Sequence, residues 1–123
     1  MVICVTLFLE VSVLDLSSDL IRGHLDTIIL GLLKNCDRYG YEICRIVREK
    51  SGGEYELKEP SMYSTIRRLE SQRLIEAYWG DESQGARRKY YRITESGQKA
   101  FEQNLNNWQF AKKIIDKLLE VEP

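Results

Sequence analysis

The run Pro60-Ser61-Met62-Tyr63-Ser64-Thr65-Ile66-Arg67-Arg68-Leu69-Glu70, with Ile75-Glu76-Ala77-Tyr78-Trp79 and Arg87-Arg88-Lys89-Tyr90-Tyr91-Arg92-Ile93 after it, organises the whole chain. Pro60 suits the first helical position, where a missing N–H costs nothing. Met62, Ile66 and Leu69 recur at i, i+4 and i+7 and predict one buried stripe. That arrangement leaves Ser61, Ser64, Thr65, Arg67 and Arg68 facing outward. Past the helix, Ile75, Ala77 and Trp79 alternate with Glu76 and Tyr78. After residues 80–86 the pattern resumes with Tyr91 and Ile93 against Tyr90 and Arg92, which predicts a hairpin.

Small hydroxyls and guanidiniums, with no bulky aliphatic among them, suit a helix that enters the major groove of DNA and reaches base edges and phosphates. A plain solvated face accounts for the same residues taken alone. The return strand, however, opens with Arg87-Arg88-Lys89. Beside such a helix, three consecutive cations predict a wing that lies along the phosphate backbone.

Working back toward the N-terminus, Tyr55 and Leu57 are expected to form a short strand closing the sheet. A helix is predicted from about Gly40 to Lys50, burying Ile43, Ile46 and Val47 and ending at Ser51-Gly52-Gly53. Before it, Ser17-Ser18-Asp19 predicts the cap of a first helix over about Leu20 to Asn35. Gly23, Thr27 and Gly31 make a small-residue stripe along that helix, which suits either close helix packing or a groove. Val2 to Leu16 is apolar and rich in β-branched residues and reads as a strand. Lacking a basic leader region, it suggests neither a signal peptide nor a membrane anchor.

Working forward, Thr94 caps a last helix from about Glu95 to Glu120. Phe101, Trp108 and Ile115 recur at heptad spacing along it, with Leu105, Ala111, Leu118 and Leu119 widening the stripe. A helix this long outruns the rest of so small a chain, so its seam is expected to meet a second copy. The expected fold class is α+β, mainly α: a winged helix-turn-helix with a long C-terminal dimerisation helix. The expected division is an apolar extension over 1–19, a winged helix-turn-helix over 20–94 and a dimerisation helix over 95–123.

The chain has 123 residues and a formal net charge of −1, which argues against indiscriminate coating of nucleic acid. Its positive charge is concentrated instead. Between Lys58 and Arg92 eight Lys or Arg face five acids, which predicts a basic stripe. Cys4, Cys36 and Cys44 have no zinc-site spacing, and His24 is the sole histidine, so no metal and no cofactor are expected. Sparse cysteine suggests a reducing, cytoplasmic setting. Cys36 and Cys44 read as small buried hydrophobes, with a thiol switch as the sharper alternative. No phosphate-binding loop or nucleophile with a neighbouring base stands out, so an enzyme is not expected.

Gly40-Tyr41-Glu42, Ser51-Gly52-Gly53, Arg68-Leu69-Glu70 and the run from Gly85 through Arg87-Arg88-Lys89-Tyr90-Tyr91-Arg92-Ile93-Thr94-Glu95-Ser96-Gly97 resemble the signature of PadR-type winged-helix transcriptional regulators. The resemblance covers roughly residues 20–120. It implies a homodimer on double-stranded DNA with an approximately palindromic operator. The candidate DNA contacts are then Tyr41, Ser61, Tyr63, Ser64, Thr65, Arg67, Arg68, Gln84, Arg87, Arg88 and Lys89.

Tyr78-Trp79-Gly80-Asp81-Glu82-Ser83-Gln84-Gly85 is similar to a lactococcal multidrug-resistance branch of the family. That likeness implies a pore at the dimer centre, where planar hydrophobic compounds stack between paired tryptophans. Trp108, Gly23, Asp26, Thr27, Gly31, Leu105 and Ala111 are its candidate lining. Lys112 stands where that branch carries an acid and Gly31 where it carries an amide, which weakens any preference for cations. The alternative reading of the chain is a winged-helix protein-interaction module without a small-molecule ligand.

Overall fold

Helices close over a small sheet because each contributes one apolar stripe to a common core. The computed structural model describes residues 19–80 and 87–120. Within them the order is α1 (Leu25–Leu33), β1 (Arg38–Tyr39), α2 (Gly40–Lys50), α3 (Glu59–Ser71), β2 (Ile75–Trp79), β3 (Lys89–Ile93) and α4 (Glu95–Leu118). Ile29, Leu30 and Leu33 of α1, Ile43 of α2, and Met62, Ile66 and Leu69 of α3 are fully buried. Ile75, Tyr91 and Ile93 meet them from one face of the sheet. The winged helix-turn-helix with a long last helix is thus the observed architecture. The expected strand in Val2–Leu16 lies outside the described residues.

The first helix departs from expectation. Residues 19–22 are helical, but the chain breaks at Gly23 and His24 before α1 begins. His24 is non-helical at φ −114° and ψ 10°, and its N–H donates to Ile21 O at 2.8 Å. Glycine within a helix costs about 1 kcal/mol relative to alanine, which makes Gly23 a natural place to interrupt it.

The third strand is also a correction. Residues 54–58 form no strand; β1 takes that place, giving the antiparallel order β1-β3-β2 with Arg38 opposite Tyr91 and Ala77 opposite Tyr91. Two side chains explain the choice. Arg38 Nε donates to Leu32 O at 2.7 Å near the carboxyl end of α1, and the Tyr39 ring meets Tyr90 edge-on at 5.5 Å. Leu57 instead plugs the core, while Tyr55 N donates to Ser51 Oγ at 3.1 Å.

α2 ends as Ser51-Gly52-Gly53 predicts. Gly53 N donates to Arg48 O and Gly52 N to Glu49 O, with both glycines at positive φ. α3 ends in the same motif, with Leu74 N donating to Leu69 O and Arg73 N to Glu70 O. Here the left-handed position, φ 60°, is held by Arg73. A side chain in that conformation costs about 1 kcal/mol or more. Arg73→Gly is therefore expected to raise the stability in urea by roughly 0.5–1 kcal/mol after the added unfolded-state entropy of glycine. An unchanged or lowered denaturation midpoint would contradict that assignment.

Candidate nucleic-acid interface

Alternation along β2 builds one wall of the site. Ile75, Ala77 and Trp79 share a face with Ile93, Tyr91 and Lys89, their partners in register. The first two pairs lie over the core. The third runs beyond it, leaving Trp79 54% exposed. Opposite stands α3, and between the two opens a cleft of about 590 Å3. Tyr63, Arg67 and Glu70 line one side, Trp79, Arg87, Arg88 and Lys89 the other, and Tyr39, Gly40 and Tyr41 close one end.

Local features hold those side chains. A Cβ on Gly40 would stand 2.8 Å from Tyr63 Oη, so glycine at that position lets the Tyr63 ring lie over the start of α2. Arg88 lies over the Tyr39 ring at 4.7 Å. Tyr78 Oη donates to Asp37 Oδ2 at 2.5 Å, tying β2 to the segment before β1. That hydrogen bond, followed by burial, raises the Tyr78 pKa and keeps the phenol protonated.

Most of the expected DNA-contact residues converge here. Tyr41, Tyr63, Arg67, Arg87, Arg88 and Lys89 line the cleft, and Ser61 and Ser64 are exposed on α3. Gln84 lies outside the described residues. Thr65 is a correction: it is only 3% exposed, and its Oγ1 donates to Ser61 O at 2.9 Å. At about 100° per residue, Thr65 falls within about 70° of the centre of the Met62, Ile66, Leu69 stripe, so the spacing itself carried the signal.

Arg68 faces outward as expected, but with a partner on α1. Its guanidinium is paired with the Asp26 carboxylate of α1, and that hydrogen bond, then the charge, raises the Arg68 pKa. Both side chains are substantially exposed, so the pair is worth at most about 1 kcal/mol. Two residues assigned to different sites thus meet each other. Trp79 and Tyr39 were not among the expected contacts. The signal for Trp79 was its place as the third inward position of a strand whose first two positions suffice to cover the core.

The residues expected to line a ligand pore behave differently. Gly31 is packed against Phe101: a Cβ there would lie 2.8 Å from Phe101 Cε1. Close helix packing therefore accounts for Gly31, and Asp26 has its charge met by Arg68. Lys34 Nζ binds Glu102 at 3.1 Å across the same seam. Further along, the His24 ring meets Trp108 edge-on at 4.7 Å, so α1 and α4 run antiparallel. Trp108 is still 43% exposed. Thr27 and Leu105 are half-buried, and Gly23 and Ala111 are exposed. Lys112 pairs with Asp116 at 3.2 Å.

Among the described residues no group of three or more His, Cys, Asp or Glu is arranged to hold a metal, and no helix is long and apolar enough to cross a membrane. Cys36 is exposed, contrary to the expected burial. Cys44 is half-buried. Burial, and then Glu59 and Glu56, push its thiol pKa up, away from the reactive thiolate.

Three helices followed by a basic hairpin, with a cleft between the third helix and that hairpin, define the winged helix-turn-helix class. The PadR-like family of transcriptional regulators matches residues 29–103, and the chain belongs to that family. An uncharacterized protein of Lysinibacillus sphaericus is 46% identical over 103 residues, 84% of this chain and 94% of the relative. A transcriptional regulator from Clostridium thermocellum is similar at 47% identity and TM-score 0.75, over 81% of this chain and 97% of that one. Bacillus subtilis PadR, solved in complex with operator DNA, matches at 26% identity and TM-score 0.59, over 66% of this chain and 46% of that one.

Proposed function

We propose that the protein is a homodimeric repressor that binds an approximately palindromic operator and releases it when a planar hydrophobic compound enters a slot beside Trp108. The observation that carries the DNA reading is the cleft, where one arginine of α3 faces three consecutive cations of the wing. Converging guanidinium and ammonium groups suit phosphate, while the exposed Ser61 and Ser64 of α3 suit base edges. The operator-bound relative supports the same choice of ligand.

Dimerisation rests on α4. Phe110 and Leu118 are 66% and 76% exposed on a helix of 24 residues, and Leu119 at its C-cap is 69% exposed. Pairing that surface with a second copy would bury it and set two reading heads at a fixed separation. The ligand slot rests on the half-exposed Trp108 indole, with Leu105, Thr27, Gly23 and Ala111 along the same seam; the slot as proposed leaves out Gly31, which packs on Phe101, and Asp26, which pairs with Arg68. A ligand stacked on Trp108 competes with the His24 ring. It shifts the dimer only by its difference in affinity for the DNA-competent and incompetent arrangements.

Trp108→Ala is expected to weaken binding of a planar dye by at least about tenfold while leaving affinity for duplex DNA unchanged. Fluorescence titration against both ligands checks this. Unchanged dye affinity would remove the slot from the account.

A further inference from the structure

The wing cations are exposed, yet they lie over aromatic rings. Arg87 and Lys89 share one ring, that of Trp79, at 5.0 and 6.0 Å, and Arg92 lies over Tyr78 at 5.1 Å. Trp79 contributes little to the core, since more than half of its surface is exposed, while Ile75 on the same face is buried. Its neighbours pose an electrostatic problem. Arg67, Arg87, Arg88 and Lys89 converge on one cleft whose lining, among the described residues, includes one carboxylate, Glu70. Like charges at that range drive long side chains apart unless something holds them.

We infer that Trp79 is a positioning residue for DNA recognition, its indole holding Arg87 and Lys89 across the cleft from α3 so that phosphate meets cations already in place. The face of an indole attracts a cation, and Arg and Lys side chains otherwise lose considerable rotamer freedom when they order against a ligand. The inference rests on the DNA reading above. Trp79 acts through the two cations and makes no contact of its own with DNA.

The test is a double-mutant cycle on the full chain, with affinity for a duplex selected from random sequence measured over a salt series. Trp79→Ala is expected to weaken binding about fivefold to tenfold. The slope of log affinity against log salt should stay that of the unmodified protein, because every charge remains. Trp79→Phe should restore most of the loss. In an Arg87→Ala, Lys89→Ala background, Trp79→Ala should cost nothing further.

An equal loss in that background means that Trp79 touches DNA itself and overturns the inference, as does full affinity in the single variant. If Arg87→Ala, Lys89→Ala alone binds as tightly as the unmodified protein, the DNA reading of the wing falls as well. A loss there combined with none for Trp79→Ala sinks the inference alone.

Discussion

Gly97→Ala is expected to destabilise the protein by about 3 kcal/mol, lowering the thermal midpoint on the order of 10 °C. The sign is opposite to the usual one. In an open helical position the same change gains about 1 kcal/mol. Here a Cβ would stand 2.0 Å from Leu74 O and 2.7 Å from Ile93 Cγ1. The carbonyl cannot yield cheaply, because it accepts from Thr94 N at 3.0 Å, while Thr94 Oγ1 accepts from Gly97 N at 3.0 Å to cap α4. Relieving the clash therefore means prising the first turn of α4 from the end of α3. Since this joint sets the direction of α4 relative to the reading head, the variant should also lose DNA affinity at temperatures where it remains folded. Calorimetry decides the first point; an unchanged or raised midpoint would show that the joint is soft.

The second large effect is expected at the cleft. Arg67→Ala combined with Arg88→Ala should weaken duplex binding about 100-fold and reduce the salt slope by about two, since each residue removes a contact worth roughly 1–3 kcal/mol. Arg68→Ala should change affinity no more than about threefold, its guanidinium being engaged with Asp26. That contrast between adjacent arginines separates a groove-facing surface from general positive charge. Anisotropy titrations of the single variants Arg67→Ala and Arg68→Ala beside the double variant measure it, and equal losses at Arg67 and Arg68 would contradict the orientation assigned to α3.

Much of this architecture was legible in the residues themselves. Met62, Ile66 and Leu69 announced the buried side of α3, Thr94 its successor's cap, and the alternation through Ile75 and Ile93 the hairpin. Periodicity reports such features because a helix or strand must bury one face. Misplacements arose where the deciding partner is remote in sequence. Thr65 is the exception, because its deciding contacts are local: its hydroxyl donates one turn back to Ser61 O, and its place beside the Met62, Ile66, Leu69 stripe is set by the same spacing. Arg68 meets Asp26 at a separation of 42 positions, which spacing does not report. β1 escaped notice because two residues are too few for a periodic signal; Tyr90, far along the chain, supplies the ring that holds it. The Gly31 stripe admitted both packing and a groove until Phe101 came to rest on it.

The central claim is that two chains, joined through α4, present their basic clefts together to one duplex. Sedimentation equilibrium of mixtures with a selected operator, repeated from about 50 to 200 mM salt, tests it most directly. The account predicts two chains per operator and an affinity that falls by orders of magnitude over that range, as expected when several phosphates are neutralised. One chain per operator, or binding indifferent to salt, would contradict it.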